Sequence, residues 1–285
     1  SQVRSTTSVI HSLLFVAALG AVPAVVVPAQ AKGTVQTVDG KTLTGTLAIA
    51  DDGTVTVIGE AGEAKLDIAE LVSFERADAR PRNVQVENRV WLRSGLELPA
   101  KKLSGRVAAD GKPAILVVRL PSGLDLEVPV STVRAIRQGG LQRPQPALFK
   151  QDLEEPLANI DLIYVVKNGK AQRSSVEVTG FTADYIDFKL RNSEYEFELA
   201  GIAGVVFGAN TGFAPDRQSR PRVSVSLTTG ERIEGKILSV GESLRCRIDE
   251  GSVLEVPMRN LHRIDVSSDR LVWLSDLKPK VEQTP

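Results

Sequence analysis

Leu254-Glu255-Val256-Pro257-Met258-Arg259-Asn260-Leu261-His262-Arg263-Ile264 changes its apolar period half-way along. Leu254 and Val256 alternate with polar residues; Met258, Leu261 and Ile264 then recur at every third position. A period of two belongs to a strand with one covered face, and steps of three belong to a tight helical turn. The stretch therefore predicts a strand, a short 3-10 turn and a second strand. The same phrase occurs at Ile68, Leu71, Phe74; at Val130, Val133, Ile136; and at Leu199, Ile202, Val205. Alternating residues lead into it, as with Leu126 and Val128 before Val130, or Tyr195 and Phe197 before Leu199. A glycine lies 19 to 25 residues ahead of each triplet, at Gly45, Gly105, Gly180 and Gly235. Recurrence at a fixed internal pattern predicts four small domains of one type.

Outward from the triplets, turn signals cut each unit into short strands. In the fourth, Val223–Leu227, Glu231–Leu238, Leu244–Ile248 and Val253–Val256 are separated by Thr229-Gly230, Gly241 and Glu250-Gly251. Asp39-Gly40 and Asp51-Asp52-Gly53 do the same in the first, Ser94-Gly95 and Ser122-Gly123 in the second, Asn168-Gly169 and Arg191-Asn192 in the third. A two-stranded hairpin would be unstable, whereas five strands curled on themselves bury a core. The expected class is all-β: four tandem five-stranded small barrels with short 3-10 turns, over residues 33–77, 86–138, 161–209 and 222–266.

Between them lie a first linker around Asp78–Asn83, a Pro-rich linker over 139–160, a linker over 210–221, and a tail over 267–285. The 139–160 linker is the longest and divides the units into a first pair and a second pair. Gly139, Gly140, Pro144, Pro146 and Pro156 argue against a regular long helix there. Leu148, Phe149 and Leu153 are expected to cover a domain edge or to form one short turn. Ile115 to Leu120 is nearly continuous in apolar residues, which predicts a strand covered on both faces.

Charge and composition exclude several classes of function. Lys plus Arg number 35 and Asp plus Glu 35, for a net charge of zero, in a chain of 285 residues that is 42% hydrophobic. Nucleic-acid binding calls for clustered excess cations, and none is expected as a partner. Arg80, Arg82, Arg89 and Arg93 are interrupted by Asp78 and Glu87 and read as a solvated face or linker. Arg4 and His11 precede an apolar run from Leu13 to Val27, broken by Gly20 and Pro23 and followed by Ala29-Gln30-Ala31. This predicts an N-terminal signal helix over 1–31, cleaved before Lys32, with a membrane anchor as the alternative. No later run is long enough to cross a bilayer. The mature chain is expected to have no stable membrane span and to be extracytoplasmic, periplasmic or secreted.

Chemistry-bearing residues are sparse. Cys246 is the single cysteine, which excludes an internal disulfide; its alternation with Leu244 and Ile248 predicts a buried, inert thiol. His262 has no His or Cys companion at metal-ligand spacing and reads as an outward turn residue. Asp51-Asp52, Glu154-Glu155 and Asp249-Glu250 fall in turns or linkers, where carboxylates are ordinarily hydrated. Gly201-Ile202-Ala203-Gly204 lacks the strand-to-helix setting and lysine of a phosphate loop. No catalytic, cofactor-binding or metal residue is assigned. The remaining candidates are aromatic. Trp91, Tyr185, Tyr195 and Trp273 are possible ligand or partner contacts, by stacking on sugar rings or partner side chains.

Thr228-Thr229-Gly230-Glu231-Arg232-Ile233-Glu234-Gly235-Lys236-Ile237 resembles the opening of a small barrel of the Sm-like and SH3-like class, and Leu254 to Ile264 resembles its closing strand and turn. The Asp and Asn pattern with which Sm proteins bind RNA is not matched, so RNA binding does not carry over. Arg270-Leu271-Val272-Trp273-Leu274-Ser275-Asp276-Leu277-Lys278-Pro279 resembles the lead-in to the C-terminal carbohydrate-binding module of exported planctomycete-type proteins with barrel repeats. That resemblance implies a further domain after Pro285. Together these readings lead to the expectation of a non-catalytic exported scaffold or protein-interaction module that spaces a C-terminal glycan-binding domain. The alternative is direct binding of a cell-envelope polysaccharide, or an accessory to a glycoside hydrolase. A continuous exposed strip of Trp91, Tyr185 or Tyr195 would favour the alternative.

Overall fold

The computed structural model describes residues 31–107, 114–139, 145–209, 212–214 and 221–269. The expected signal helix, apart from Ala31, and the tail from 270 onward with Trp273 lie outside the described residues. The chain is all-β, as expected, with one α-helix among the described residues.

The first repeat forms β1 (Lys32–Thr37), β2 (Thr42–Ile49), β3 (Thr54–Gly59), β4 (Gly62–Asp67) and β5 (Leu71–Arg76). The second forms β6 (Asn88–Leu92), β7 (Glu97–Ala100), β8 (Lys102–Arg106), β9 (Ile115–Arg119), β10 (Asp125–Pro129) and β11 (Val133–Arg137). The helix α1 (Gln145–Glu154) follows. The third repeat forms β12 (Asp161–Lys167), β13 (Lys170–Phe181), β14 (Tyr185–Leu190), β15 (Ser193–Glu198) and β16 (Ile202–Val206). The fourth forms β17 (Arg222–Leu227), β18 (Arg232–Val240), β19 (Ser243–Ile248), β20 (Val253–Pro257) and β21 (Leu261–Ser267).

Each triplet is a single 3-10 turn, and its spacing of three is that of the hydrogen bond that closes it. The N–H groups of Leu71, Val133, Ile202 and Leu261 donate to the carbonyls of Ile68, Val130, Leu199 and Met258. In the first repeat the turn is also capped reciprocally: the Asp67 side chain accepts from the Ala69 N–H at 2.7 Å, and Glu70 accepts from the Asp67 N–H at 3.1 Å. The strand after each turn pairs back on the first strand of its repeat, giving the order fifth-first-second-third-fourth. The second strand serves both neighbours by bending. In β18, Gly235 pairs with Val223 on one side and Ile248 on the other. A Cβ there would lie 2.2 Å from the Arg247 carbonyl oxygen, and one at Gly45 would lie 2.4 Å from that of Ile58, so only glycine permits the bend. In the second repeat the bend breaks the strand at Lys101 into β7 and β8, so this repeat has six strands rather than the expected five.

The repeats are not four separate sheets. They merge into a ten-stranded antiparallel sheet, β20-β19-β18-β17-β21-β5-β1-β2-β3-β4, an eight-stranded sheet, β15-β14-β13-β12-β16-β11-β6-β7, and a three-stranded sheet, β10-β9-β8. The junctions are the strands after the triplets. β5 pairs with β21 through Phe74 opposite Ile264, and β11 pairs with β16 through Ile136 opposite Val205. These four residues are the third members of their triplets, and all have no solvent exposure. The partnership is nested: first with fourth, second with third. The expected division into first-with-second and third-with-fourth is corrected, because an unpaired edge strand seeks another edge regardless of linker length. A side chain of one repeat clamps each junction. Arg76 donates to the Met258 carbonyl, and Gln138 donates to the Leu199 carbonyl at 2.6 Å. Each donor lies two residues past a third triplet member and reaches a first member of the partner repeat.

The core runs continuously through all four repeats, from Val35 and Phe74 to Leu261 and Val266. A smaller cluster lies on the outer face of the eight-stranded sheet, where Phe149 and Leu153 of α1 cover Ala135, Ala203 and Val206. α1 is longer than the one turn expected. Pro146 stands at its second position, inside the first turn, where the missing N–H costs no intrahelical bond. The strand buried on both faces is β16, not Ile115–Leu120. In β9 Leu116 and Val118 are buried, while Ile115 and Val117 on the opposite face are only half-buried. No described helix is long and apolar enough to cross a membrane.

Candidate functional site

The three candidate aromatics within the described residues do not converge. Trp91 sits on β6 beneath α1, its ring 5.8 Å from that of Phe149 and with the Arg137 guanidinium 5.8 Å over its face. Its indole N–H donates to Glu97 at 3.1 Å. It is half-buried and serves packing. Tyr185 and Tyr195 are 37% and 48% exposed. They pair with Glu198 and Phe188 across the β14–β15 hairpin. Residues 185 and 188 are three apart on one strand, so the two tyrosines emerge on opposite faces. Tyr195 lies stacked on Phe188, with centroids 5.8 Å apart and planes at 19°.

Polar groups missed in the sequence are instead buried at the seams. Under α1, the Asp152 carboxylate accepts from Arg173 at 2.7 and 2.8 Å and from the Tyr164 hydroxyl. Burial works to raise the Asp152 pKa, but the bonds from Arg173 and Tyr164 outweigh it and hold the carboxyl below its ordinary value. Burial, together with the Asp152 charge, pushes the Tyr164 hydroxyl well up. An anion so fully hydrogen-bonded is a poor base, and its arrangement is that of a bracket for the helix.

A second seam joins the two sheet pairs. The Ser94 N–H, in the first turn of the second repeat, donates to Glu250 at 3.1 Å, in the third turn of the fourth. Reciprocally, the Ser122 N–H, in the third turn of the second repeat, donates to Glu231 at 2.7 Å, beside the first turn of the fourth. Glu231 is 1% exposed and Glu250 7%. Burial pushes the Glu250 carboxyl above its ordinary range. The expectation that Asp249-Glu250 is hydrated is thereby corrected, since Asp249 also holds Arg222 at 2.8 and 2.9 Å. Arg93, expected on a solvated face, reaches the Gly208 carbonyl of the third repeat at 2.7 Å. His262 is the second residue of β21 rather than lying in the turn, 3.8 Å from Glu75 of the first repeat. Cys246 has no exposure, and burial raises its thiol to about 12. No group of three or more His, Cys, Asp or Glu suited to a metal occurs among the described residues.

Two accessible features stand out among the described residues. A groove of about 730 Å³ crosses the first repeat between β2 and the β3–β4 hairpin, past Thr42, Thr44, Ile58 and Glu60, and none of its described lining residues is aromatic. The other is β15, one of the two outer strands of the eight-stranded sheet, with every residue exposed except Phe197.

Scans against family models, curated proteins and solved structures find no match. The functional reading therefore rests on the geometry: fused sheets, groups committed to seams, and free outer strands. The alternation of SEYEFE was visible in the sequence, but its place at a sheet edge was not.

Proposed function

We propose that this chain is a non-catalytic protein-interaction scaffold of an exported protein. In this reading its four repeats are Sm-like/SH3-like small barrels fused in nested pairs, and they space a C-terminal glycan-binding domain. The order fifth-first-second-third-fourth, with a bent second strand and a 3-10 turn before the fifth, supports the barrel assignment. One observation carries the functional part. The described aromatics that would have to form a sugar-stacking strip are divided between opposite faces of one hairpin and the underside of a helix, while outer strands have no further partner among the described residues. Sheet edges recognise extended protein segments through backbone hydrogen bonds. The test is co-purification of the mature protein from cell envelopes alongside a glycan-binding screen of the same protein. A defined protein complex without glycan binding is expected. Strong binding of a polysaccharide by these four repeats, with no protein partner, would overturn the reading.

A further inference from the structure

The hairpin β14–β15 turns through Arg191 and Asn192, both in the left-handed region at φ 50° and 71°. A two-residue turn fixes which backbone groups face inward. Leu190 and Ser193 form a hydrogen-bonded pair, so the pairs 188–195 and 186–197 do too, and those at 189–194, 187–196 and 185–198 do not. The bond from the Leu199 N–H to the Asp184 carbonyl, 2.7 Å, continues the same alternation. The N–H and C=O groups of Glu194, Glu196 and Glu198 consequently point away from β14, along an edge that no other described strand pairs with. Their side chains share one face with Tyr185, Glu177, Asp187 and Lys189, five carboxylates against one ammonium, which lies 3.6 Å from Glu194 and leaves the others in excess. Glu196 stands directly opposite Asp187, a like-charge pairing that opposes folding. The other face carries Tyr195 and half-buried Phe197.

We infer that β15 is a docking edge for an extended basic segment of a partner protein, in which Lys or Arg alternates with apolar residues. This rests on the scaffold reading above and names the partner chemistry for one of its edges. A strand added to β15 keeps the pleat of its neighbour. Its residues facing Glu194, Glu196 and Glu198 must neutralise carboxylates, and those between them must cover Tyr195 and Phe197. Basic side chains relieve the Asp187–Glu196 repulsion, and the outward backbone groups of the three glutamates supply the ladder. The three glutamates of the edge disfavour pairing with a second copy of itself and leave it open to a strand of opposite charge.

The test is fluorescence anisotropy with the whole chain and a labelled, end-capped peptide Lys-Val-Lys-Val-Lys-Val-Lys. A peptide of the same composition in blocks, Val-Val-Val-Lys-Lys-Lys-Lys, is the control. The alternating peptide is expected to bind at least tenfold more tightly. Glu196→Pro removes an outward N–H without breaking the β14 ladder. It is expected to weaken binding tenfold or more, against twofold to fivefold for Glu196→Gln. The triple change Glu194→Lys, Glu196→Lys, Glu198→Lys should abolish it, with circular dichroism confirming the fold of each variant. Equal binding of the two peptides, wild-type binding by a folded triple variant, or no binding of the alternating peptide would overturn the inference. An envelope complex that survives the triple change would reject this edge and leave the scaffold standing. Glycan binding without a protein partner would remove the scaffold itself.

Discussion

The two junctions between repeats use one backbone design and finish it in opposite ways. In both, the last strands of two repeats run antiparallel and bury a pair of third triplet members, Phe74 with Ile264 and Ile136 with Val205. Their outer faces differ. At the first-with-fourth junction Glu75, Arg263 and Asp265 form a charged row, with Arg263 bonded to Glu75 at 2.9 Å and to Asp265 at 2.7 Å. At the second-with-third junction the outer residues are Ala135, Ala203 and Val206, and α1 lies on them. A face that can be solvated needs no cover. A face of small apolar residues needs a third layer, and the 139–160 segment supplies it. The connection after the second repeat thus adds a layer that its sheet surface demands, whereas the first linker only ties down a turn, the Arg82 and Val84 N–H groups donating to the Thr228 and Thr229 carbonyls of the fourth repeat at 2.6 and 3.3 Å.

The comparison is broken most sharply at Phe149. Its ring contacts Trp91 and Tyr164 and sits so close to Gly204 that a Cβ there would be 2.7 Å from it. Phe149→Ala should cost about 3–5 kcal/mol and release α1, read by chemical denaturation and by hydrogen exchange in 145–154. Asp152→Asn comes next, at about 2 kcal/mol, because a charge-assisted bond from Arg173 and the bond from Tyr164 are weakened in a buried site. The sign of its pH dependence follows from the lowered pKa. The wild-type stabilisation is present above the unfolded carboxyl pKa and is lost as pH falls through the lower folded value. Urea midpoints across that acid range should converge for wild type and Asp152→Asn. A constant gap would remove the charge from the account.

Much of this architecture is legible in the residues. The triplets mark four 3-10 turns, and the glycines ahead of them mark the bent or broken second strands. Ile202 to Val206, apolar at every position but Gly204, carries the signature of a doubly covered strand, whereas Leu71 to Arg76 includes Ser73, Glu75 and Arg76. What lies across a junction is not legible, because nothing local to Phe74 states that its neighbour is Ile264 rather than a residue of the adjoining repeat. The same limit hides Glu231 and Glu250. Glu231 follows an ordinary turn and Glu250 lies within one, and only the approach of the second repeat turns exposed carboxylates into buried ones. Tyr185 and Tyr195 were recognisable as accessible, but their division between faces depends on the register set by Arg191 and Asn192.

The seam between the pairs gives a smaller and opposite effect. Glu250 has a raised pKa, so its contribution is fully present below the unfolded carboxyl pKa and is lost as pH rises through the folded value. Glu250→Gln keeps an acceptor for the Ser94 N–H without a buried charge. It should be more stable than wild type by about 1 kcal/mol at pH 8, with the gain vanishing towards acid. A variant less stable than wild type at pH 8 would mean that the anion strengthens the seam.

The weakest change should be Arg263→Ala, and its weakness is the content of the comparison. Arg263 holds two carboxylates, and by a count of bonds it rivals Arg173. Its side chain is 32% exposed and Glu75 is 51% exposed, so water and salt already compete for those charges. The loss should stay below about 1 kcal/mol and shrink further in 0.5 M salt. The backbone ladder from Glu75 to Ser73 and the Phe74–Ile264 contact remain intact beneath it. If Arg263→Ala instead cost as much as Phe149→Ala, and separated the first repeat from the fourth in hydrogen exchange, the charged row would be the fastening of that junction. The buried pair would then be only its filling, and the two junctions would differ in mechanism as well as in cover.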